Sequence, residues 1–279
     1  IGSKVLEINT KNKLISNEKN IKIKNLLIDN GFFEVINDPF VSLGDDSSIC
    51  VDNPLDSNRK YLRTNLKNSL LENLTYNERR QKDSIKLFEI SDIYSSNTKS
   101  KKVIGIIASG RVDRNYLDFT KKINKQYLND IFDDYLICDD SKSLEFETII
   151  RDGLNSKNKD PIFYIELEID LIKNFEFRSS DTKKNNLVFK YAPISDLPIS
   201  TRDLSFSIKH YPNSNAVQDF ILNFEDPLLK DVFIFDYFLN EKNNEIKIGF
   251  RFSFQDSKST ITEEQVNSVM DVIIANTTN

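Results

Sequence analysis

Ile246-Lys247-Ile248-Gly249-Phe250-Arg251-Phe252-Ser253-Phe254 alternates apolar residues with others along its whole length. A period of two puts Ile246, Ile248, Phe250, Phe252 and Phe254 on one face of a β-strand and Arg251 on the other. Working outward, Val232-Phe233-Ile234-Phe235 is apolar throughout and reads as a strand filled on both faces. Upstream, Val217, Phe220, Ile221 and Phe224 have helix spacing, and Leu204, Phe206 and Ile208 alternate with Asp203, Ser205 and Ser207. Downstream, Thr262 opens a helix. Gln265 closes a capping box, Ile261 and Val266 are placed for a hydrophobic staple, and Val269, Met270 and Ile273 continue the buried face. Strand, helix, strand, strand, helix is the order of a ferredoxin-like split βαβ module without its last strand. Alternating aromatics usually fill a core, so one or two of Phe235, Tyr237, Phe252 and Phe254 are expected to face outward.

The rest of the chain reads as a separate α+β domain on an antiparallel sheet. Residues 1–20 are polar and lysine-rich, a leader or linker, and the Ile1-Gly2-Ser3-Lys4 start lacks methionine, as a fragment or processed end does. Ile21 to Asn30 reads as a helix with Gly31 as its left-handed cap. Phe32 to Ser42 reads as a strand with Val35, Ile36, Phe40 and Val41 inward, and Ser47 to Val51 as a short apolar stretch. Leu62, Leu66, Leu70 and Leu74 stand four apart, an amphipathic helix whose stripe is expected to serve the domain's own core. Ile85 to Tyr94 and Val103 to Ala108 read as strands, Asn115 to Asp134 as a helix, and Pro161 to Leu171 as a strand. The polar run Lys173 to Asn186 separates a first domain, 21–186, from the ferredoxin-like one, 187–279.

Several chemistries are excluded by scarcity. His210 is the only histidine and reads as a surface loop residue, so a Ser-His-Asp triad or a zinc site of the usual kinds lacks its parts. Cys50 and Cys138 form no CxxC pair and read as buried free thiols in a reducing cytoplasm. The seven glycines allow no GxGxxG turn, and Gly105 and Gly110, spaced like a phosphate loop, are followed by Arg111-Val112 instead of Lys-Ser/Thr. No apolar run approaches the ~20 residues that span a bilayer. From Leu187 onward eight Lys/Arg face thirteen Asp/Glu, while the earlier part is balanced, so the basic stripe usual for nucleic-acid binding is missing by count.

Two separated blocks carry a family resemblance. The first is Gly31-Phe32-Phe33-Glu34-Val35-Ile36, Phe40-Val41-Ser42, Asn53-Pro54, Leu62-Arg63-Thr64-Asn65-Leu66, Leu70-Leu71, Asn77, Arg80 and Leu87-Phe88-Glu89-Ile90. It resembles the class II-like core domain of the bacterial phenylalanine–tRNA ligase β subunit. The second is Pro198, Thr201-Arg202-Asp203-Leu204, Phe235-Asp236-Tyr237 and Thr260-Ile261-Thr262-Glu263-Glu264. It is similar to the anticodon-binding domain that ends the same subunit. The blocks depart from the family at Gly153-Leu154-Asn155-Ser156, where Gly-x-x-His-Pro is expected, and in the missing last strand.

The resemblance implies a non-catalytic C-terminal part of an α2β2 ligase that joins phenylalanine to tRNA(Phe). ATP and Mg2+ would be used by the complete enzyme, with no cofactor, metal or catalytic residue in this chain. The glycines exclude the class II Gly-x-Gly-x-x-Arg motif, and no arginine precedes Glu89 as an ATP-binding strand requires. Editing and metal-binding regions lie upstream in the family and are expected outside this chain. The expected partners are the α subunit and tRNA(Phe), with neither DNA nor membrane, in the cytoplasm. Candidate tRNA contacts are Arg202, Phe235, Tyr237 and Arg251; candidate subunit-interface residues are Arg63, Leu66 and Leu70. Two rivals remain at this level: a stand-alone RNA-binding or assembly protein built from the same modules, and an enzyme with a carboxylate site at Asp133-Asp134 or Asp139-Asp140.

Overall fold

A computed structural model describes residues 11–96, 98–132, 137–138, 144–173, 195–209, 211–240, 243 and 245–277. The chain divides into two compact units, Ile1–Gly110 with Ile123–Thr182, and Arg111–Lys122 with Lys183–Asn279. The sequence assigns Arg111–Lys122 to the first domain; by its packing it belongs to the second unit. The expected boundary and His210 lie outside the described residues, as do both aspartate pairs of the rival carboxylate site and Cys138's side chain.

The first unit opens with α1 (Lys11–Asp29), followed by β1 (Phe33–Glu34), β2 (Phe40–Val41) and β3 (Tyr61–Leu62). Then come α2 (Lys67–Arg79), β4 (Ser84–Ser95), β5 (Thr98–Gly110) and α3 (Lys125–Phe132). β6 (Ile137–Cys138), β7 (Glu147–Ile149), β8 (Ile162–Glu168) and β9 (Ile172–Lys173) complete it. The main sheet runs β1-β4-β5-β8-β7 and is antiparallel apart from β1, which lies parallel to β4. Leu66, Leu70 and Leu74 bury one side of α2 on Ile85, Leu87, Val103, Ile107, Ile162 and Tyr164. Strand alternation turns the buried Ile104 and Ile106 to the opposite face.

Gly105 sits under α2. A Cβ there would meet Leu70 Cδ1 at 2.8 Å and Leu66 Cβ at 3.0 Å, so the missing side chain sets how closely helix and sheet approach. Gly31 caps α1 at φ +77°, as its position after the apolar run predicts.

Several expectations are corrected. The polar leader is helical from Lys11, since α1 starts ten residues before the predicted helix at Ile21. The strand expected over 32–42 is two short strands, and Ile36, expected inside, is 90% exposed, because Asn37 turns the chain inward instead to reach Glu89. Leu62 lies in β3, not in the helix, which starts at Lys67. The helix expected over 115–134 shrinks to α3, because Asn115 Oδ1 accepts the Leu117 and Asp118 N–H groups and holds that stretch in turns. Cys50, expected buried, is exposed and free in the loop that bridges to Tyr61.

The second unit contains β10 (Ser200–Lys209), α4 (Tyr211–Leu222), β11 (Leu229–Asn240), β12 (Glu245–Phe254) and α5 (Glu263–Thr277). Its antiparallel sheet has the order β10-β12-β11, that of a ferredoxin-like fold, and among the described residues no strand pairs with the outer edge of β10. Ile246, Ile248, Phe250, Phe252 and Phe254, all within 1% of full burial, meet Ile221 of α4 and Val266, Val269, Met270 and Ile273 of α5. The capping box forms as the sequence predicts. Thr262 N–H donates to Gln265 Oε1 at 2.9 Å, and Gln265 N–H donates to Thr262 Oγ1 at 3.3 Å.

Candidate functional site

With one face of the β10-β12-β11 sheet given to the helices, the side chains that alternate with the core line the other face. Arg251 projects from the middle of β12 and grips Asp203 across the sheet through Nε–Oδ1 (2.7 Å) and Nη2–Oδ2 (2.6 Å). The two residues are register partners, so the fork of the guanidinium meets the carboxylate directly. Gly249 lies beside them. A Cβ there would strike the Phe235 ring at 2.8 Å, so the bare backbone lets that ring lie against β12.

Segment Arg111–Lys122 covers part of this face. Arg111 and Lys122 form an antiparallel bridge, and Val112 N–H donates to Lys121 O at 3.1 Å, which closes the segment into a loop. Phe119, 6% exposed, sits with ring centroids 5.6 Å from Phe233 and 5.7 Å from Phe235. Arg251 lies 4.9 Å from the Phe119 centroid and 5.5 Å from that of Phe235, and Arg111 lies 4.1 Å from Phe119. Tyr116 meets Tyr237 at 5.4 Å, and Arg114 pairs with Asp231 at 3.5 Å. The result is a stack of alternating aromatic rings and guanidinium groups, the chemistry that also accepts unstacked bases.

Of the four tRNA candidates, the structure brings Phe235, Tyr237 and Arg251 to this cluster, all half-buried. Arg202 stands apart on β10, bonded to Ser200 Oγ (3.2 Å) and Thr201 O (3.0 Å) and 3.6 Å from Glu263. Phe252 and Phe254 belong wholly to the core. Phe119 and Tyr116 were missed because the stretch reads as helix; the turn formers Asn115 and Asp118 are the signal that corrects it.

In the first unit the interface candidates prove internal. Arg63 is 2% exposed, and Leu66 and Leu70 are fully buried. A side chain without accessible surface cannot touch a second subunit, so these three hold the domain's own core. Arg63 Nη2 donates to Glu89 Oε1 at 2.8 Å, while Glu89 Oε2 accepts Asn37 Nδ2 at 2.8 Å. Glu166 reaches the start of α2, where its Oε2 accepts Leu66 N–H at 2.7 Å and the Tyr164 hydroxyl at 2.6 Å. Burial first, and then the Glu166 charge, push the Tyr164 phenol far above its ordinary range. At the other end of α2, Glu78 takes a bidentate contact from Arg151 (2.8 and 3.1 Å). These groups brace a helix against a sheet. Among the described residues no group of three or more His, Cys, Asp or Glu is placed to hold a metal ion, and no helix is long and apolar enough to cross a membrane.

Residues 1–137 match the model for the phenylalanyl tRNA synthetase beta chain CLM domain, and residues 195–279 match the ferredoxin-fold anticodon binding domain. Over these two segments the chain is similar to the phenylalanyl-tRNA synthetase β chain. Phenylalanine–tRNA ligase β subunits of Campylobacter jejuni (strain RM1221) and Carboxydothermus hydrogenoformans are 27% and 24% identical to it, over 98% and 91% of the chain. That of Mycoplasma mycoides is 25% identical over 80% of the chain. The chain spans between 31% and 39% of the length of these relatives. The family blocks read from the sequence coincide with the bracing groups: Leu62-Arg63-Thr64-Asn65-Leu66 supplies the partner of Glu89 and the end of α2 held by Glu166.

Proposed function

We propose that the chain is a non-catalytic part of a cytoplasmic phenylalanine–tRNA ligase, binding the anticodon region of tRNA(Phe) while packing on a catalytic α subunit that handles ATP, Mg2+ and phenylalanine. The observation that carries this reading is the pairing of the two family matches, in order, with a guanidinium–aromatic face on the ferredoxin-like sheet. Arg202 offers a guanidinium on β10, an outer strand of the sheet among the described residues, for a phosphate or base. Phe235, Tyr237 and Arg251 offer stacking surface once Arg111–Lys122 gives way. The subunit contact is assigned to the exposed apolar residues Ile21, Ile28, Phe33 and Ile36, 53–90% exposed, because apolar surface of this kind marks a protein interface.

Filter binding of tRNA(Phe) transcripts tests the reading. The chain is expected to prefer the native anticodon over a substituted one. Arg202→Ala should weaken binding about tenfold, equivalent to roughly 1.4 kcal/mol. Phe119→Ala should strengthen it by uncovering Phe235. Equal binding of both transcripts, or of a DNA hairpin of the same sequence, refutes the assignment.

A further inference from the structure

A groove follows α2 on the side turned away from the sheet. Its wider part encloses about 700 Å³ between α2 (Asn68, Ser69, Leu71, Glu72) and the 37–43 segment. Its narrower part, about 500 Å³, lies between the end of α2 (Arg79, Gln81) and residues 154–158. Leu154 and Asn155 line both parts, so the two adjoin. From Asn68 to Arg79 the helix rises about 17 Å, the reach of roughly five extended residues.

Three features describe what fits. First, the carboxamides of Asn58, Asn68, Asn155 and Gln81 line the groove without a hydrogen bond to another described residue. A carboxamide presents a donor and an acceptor side by side, which matches the N–H and C=O of a peptide unit; a phosphate has use only for the donor. Second, the charges are separated. The Glu72 carboxylate, without an ion pair among the described residues, stands in the wide part, and Lys157 and Arg79 stand in the narrow part. Asp38 and Glu78 add negative charge, each already paired, with Arg59 and Arg151. The lining therefore sets three carboxylates against two cations, a balance that disfavours a polyanion. Third, Leu71 and Leu154 form a half-buried apolar floor, and Leu43, 85% exposed, forms an apolar wall.

We propose that this groove binds an extended peptide segment of a partner protein, with a cationic side chain at the Glu72 end, a carboxylate at the Lys157 end and an apolar side chain between them. Main-chain groups of the peptide bond the carboxamides, its apolar residue rests on Leu71 and Leu154, and its end charges set the register. This inference is independent of the tRNA assignment, which concerns the other unit.

A displayed library of random hexapeptides, panned against the 279-residue chain, is the direct test. Enriched sequences should carry opposite charges at their two ends. A synthetic peptide of that consensus should lose at least about tenfold in affinity to Glu72→Lys and again to Lys157→Glu. Both positions are exposed, so the melting temperatures of the variants should match the parent's. Enrichment without a charge pattern, or binding indifferent to both substitutions, overturns the proposal. So does tighter binding of hexauridylate that depends on Lys157, which would give the groove to RNA.

Discussion

Arg63 and Glu89 meet at 2.8 Å with 2% of each side chain exposed. A pair this dry contributes through what its loss leaves behind. Arg63→Met strands a carboxylate held, among the described residues, by Asn37 alone, and the expected cost is about 3–5 kcal/mol, read as a lower denaturation midpoint. Asp45 behaves differently because it lies at the surface. The Ser47 hydroxyl foremost, then the Thr64 hydroxyl and the Ser47 N–H, hold its carboxyl down at about 2. A depressed folded-state value means the stabilisation is complete above the ordinary carboxylate range and is lost as pH falls towards 2. Asp45→Asn should therefore lower stability at neutral pH, leave it little changed near pH 2 and flatten the profile between about pH 4 and pH 2. Acid titration followed by circular dichroism measures this.

At the scale of elements, helix placement depends on single atoms. Gly105→Val would drive a branched side chain into Leu70 and Leu66 and lift α2 from β5. Overpacking of this kind costs about 1–3 kcal/mol, and hydrogen exchange should show it as lost protection along α2. Gly110 is tighter still, with a Cβ only 2.1 Å from Asp83 O at φ +94°, so Gly110→Ala should part the Ser84–Gly110 end of the β4–β5 pair more severely. Removing the α5 cap with Thr262→Ala should cost about 1 kcal/mol, a milder loss because Glu263 and Glu264 still favour the helix N-terminus.

Across the whole molecule, the two units have cores that share no residue. Phe252→Ala should destabilise the second unit by about 3–5 kcal/mol, and Leu70→Ala the first by about 2–5. Calorimetry should show each substitution lowering a different part of the unfolding profile. Charge sets the remaining expectation. With eight Lys/Arg against thirteen Asp/Glu from Leu187 onward, few phosphates can be neutralised. Two phosphate contacts predict only about a tenfold loss of tRNA affinity between 50 and 200 mM salt, far below the loss shown by strongly basic proteins.

What the residues determined by themselves was local. The alternation from Ile246 to Phe254, the capping box at Thr262 and the cap at Gly31 are each visible within one or two turns of chain, and all three stand in the structure. Side-chain period and backbone caps depend only on near neighbours, so no distant contact overrode them. Which faces are covered was a tertiary matter. Leu66 and Leu70 went inside because Gly105, more than thirty residues away, leaves room for them. Arg251 and Phe235 met Phe119 because a turn at Asn115 replaced a helix and sent that ring more than a hundred residues along the chain to its partners. A strand's period shows that it has two faces; only the packed chain decides what lies on each.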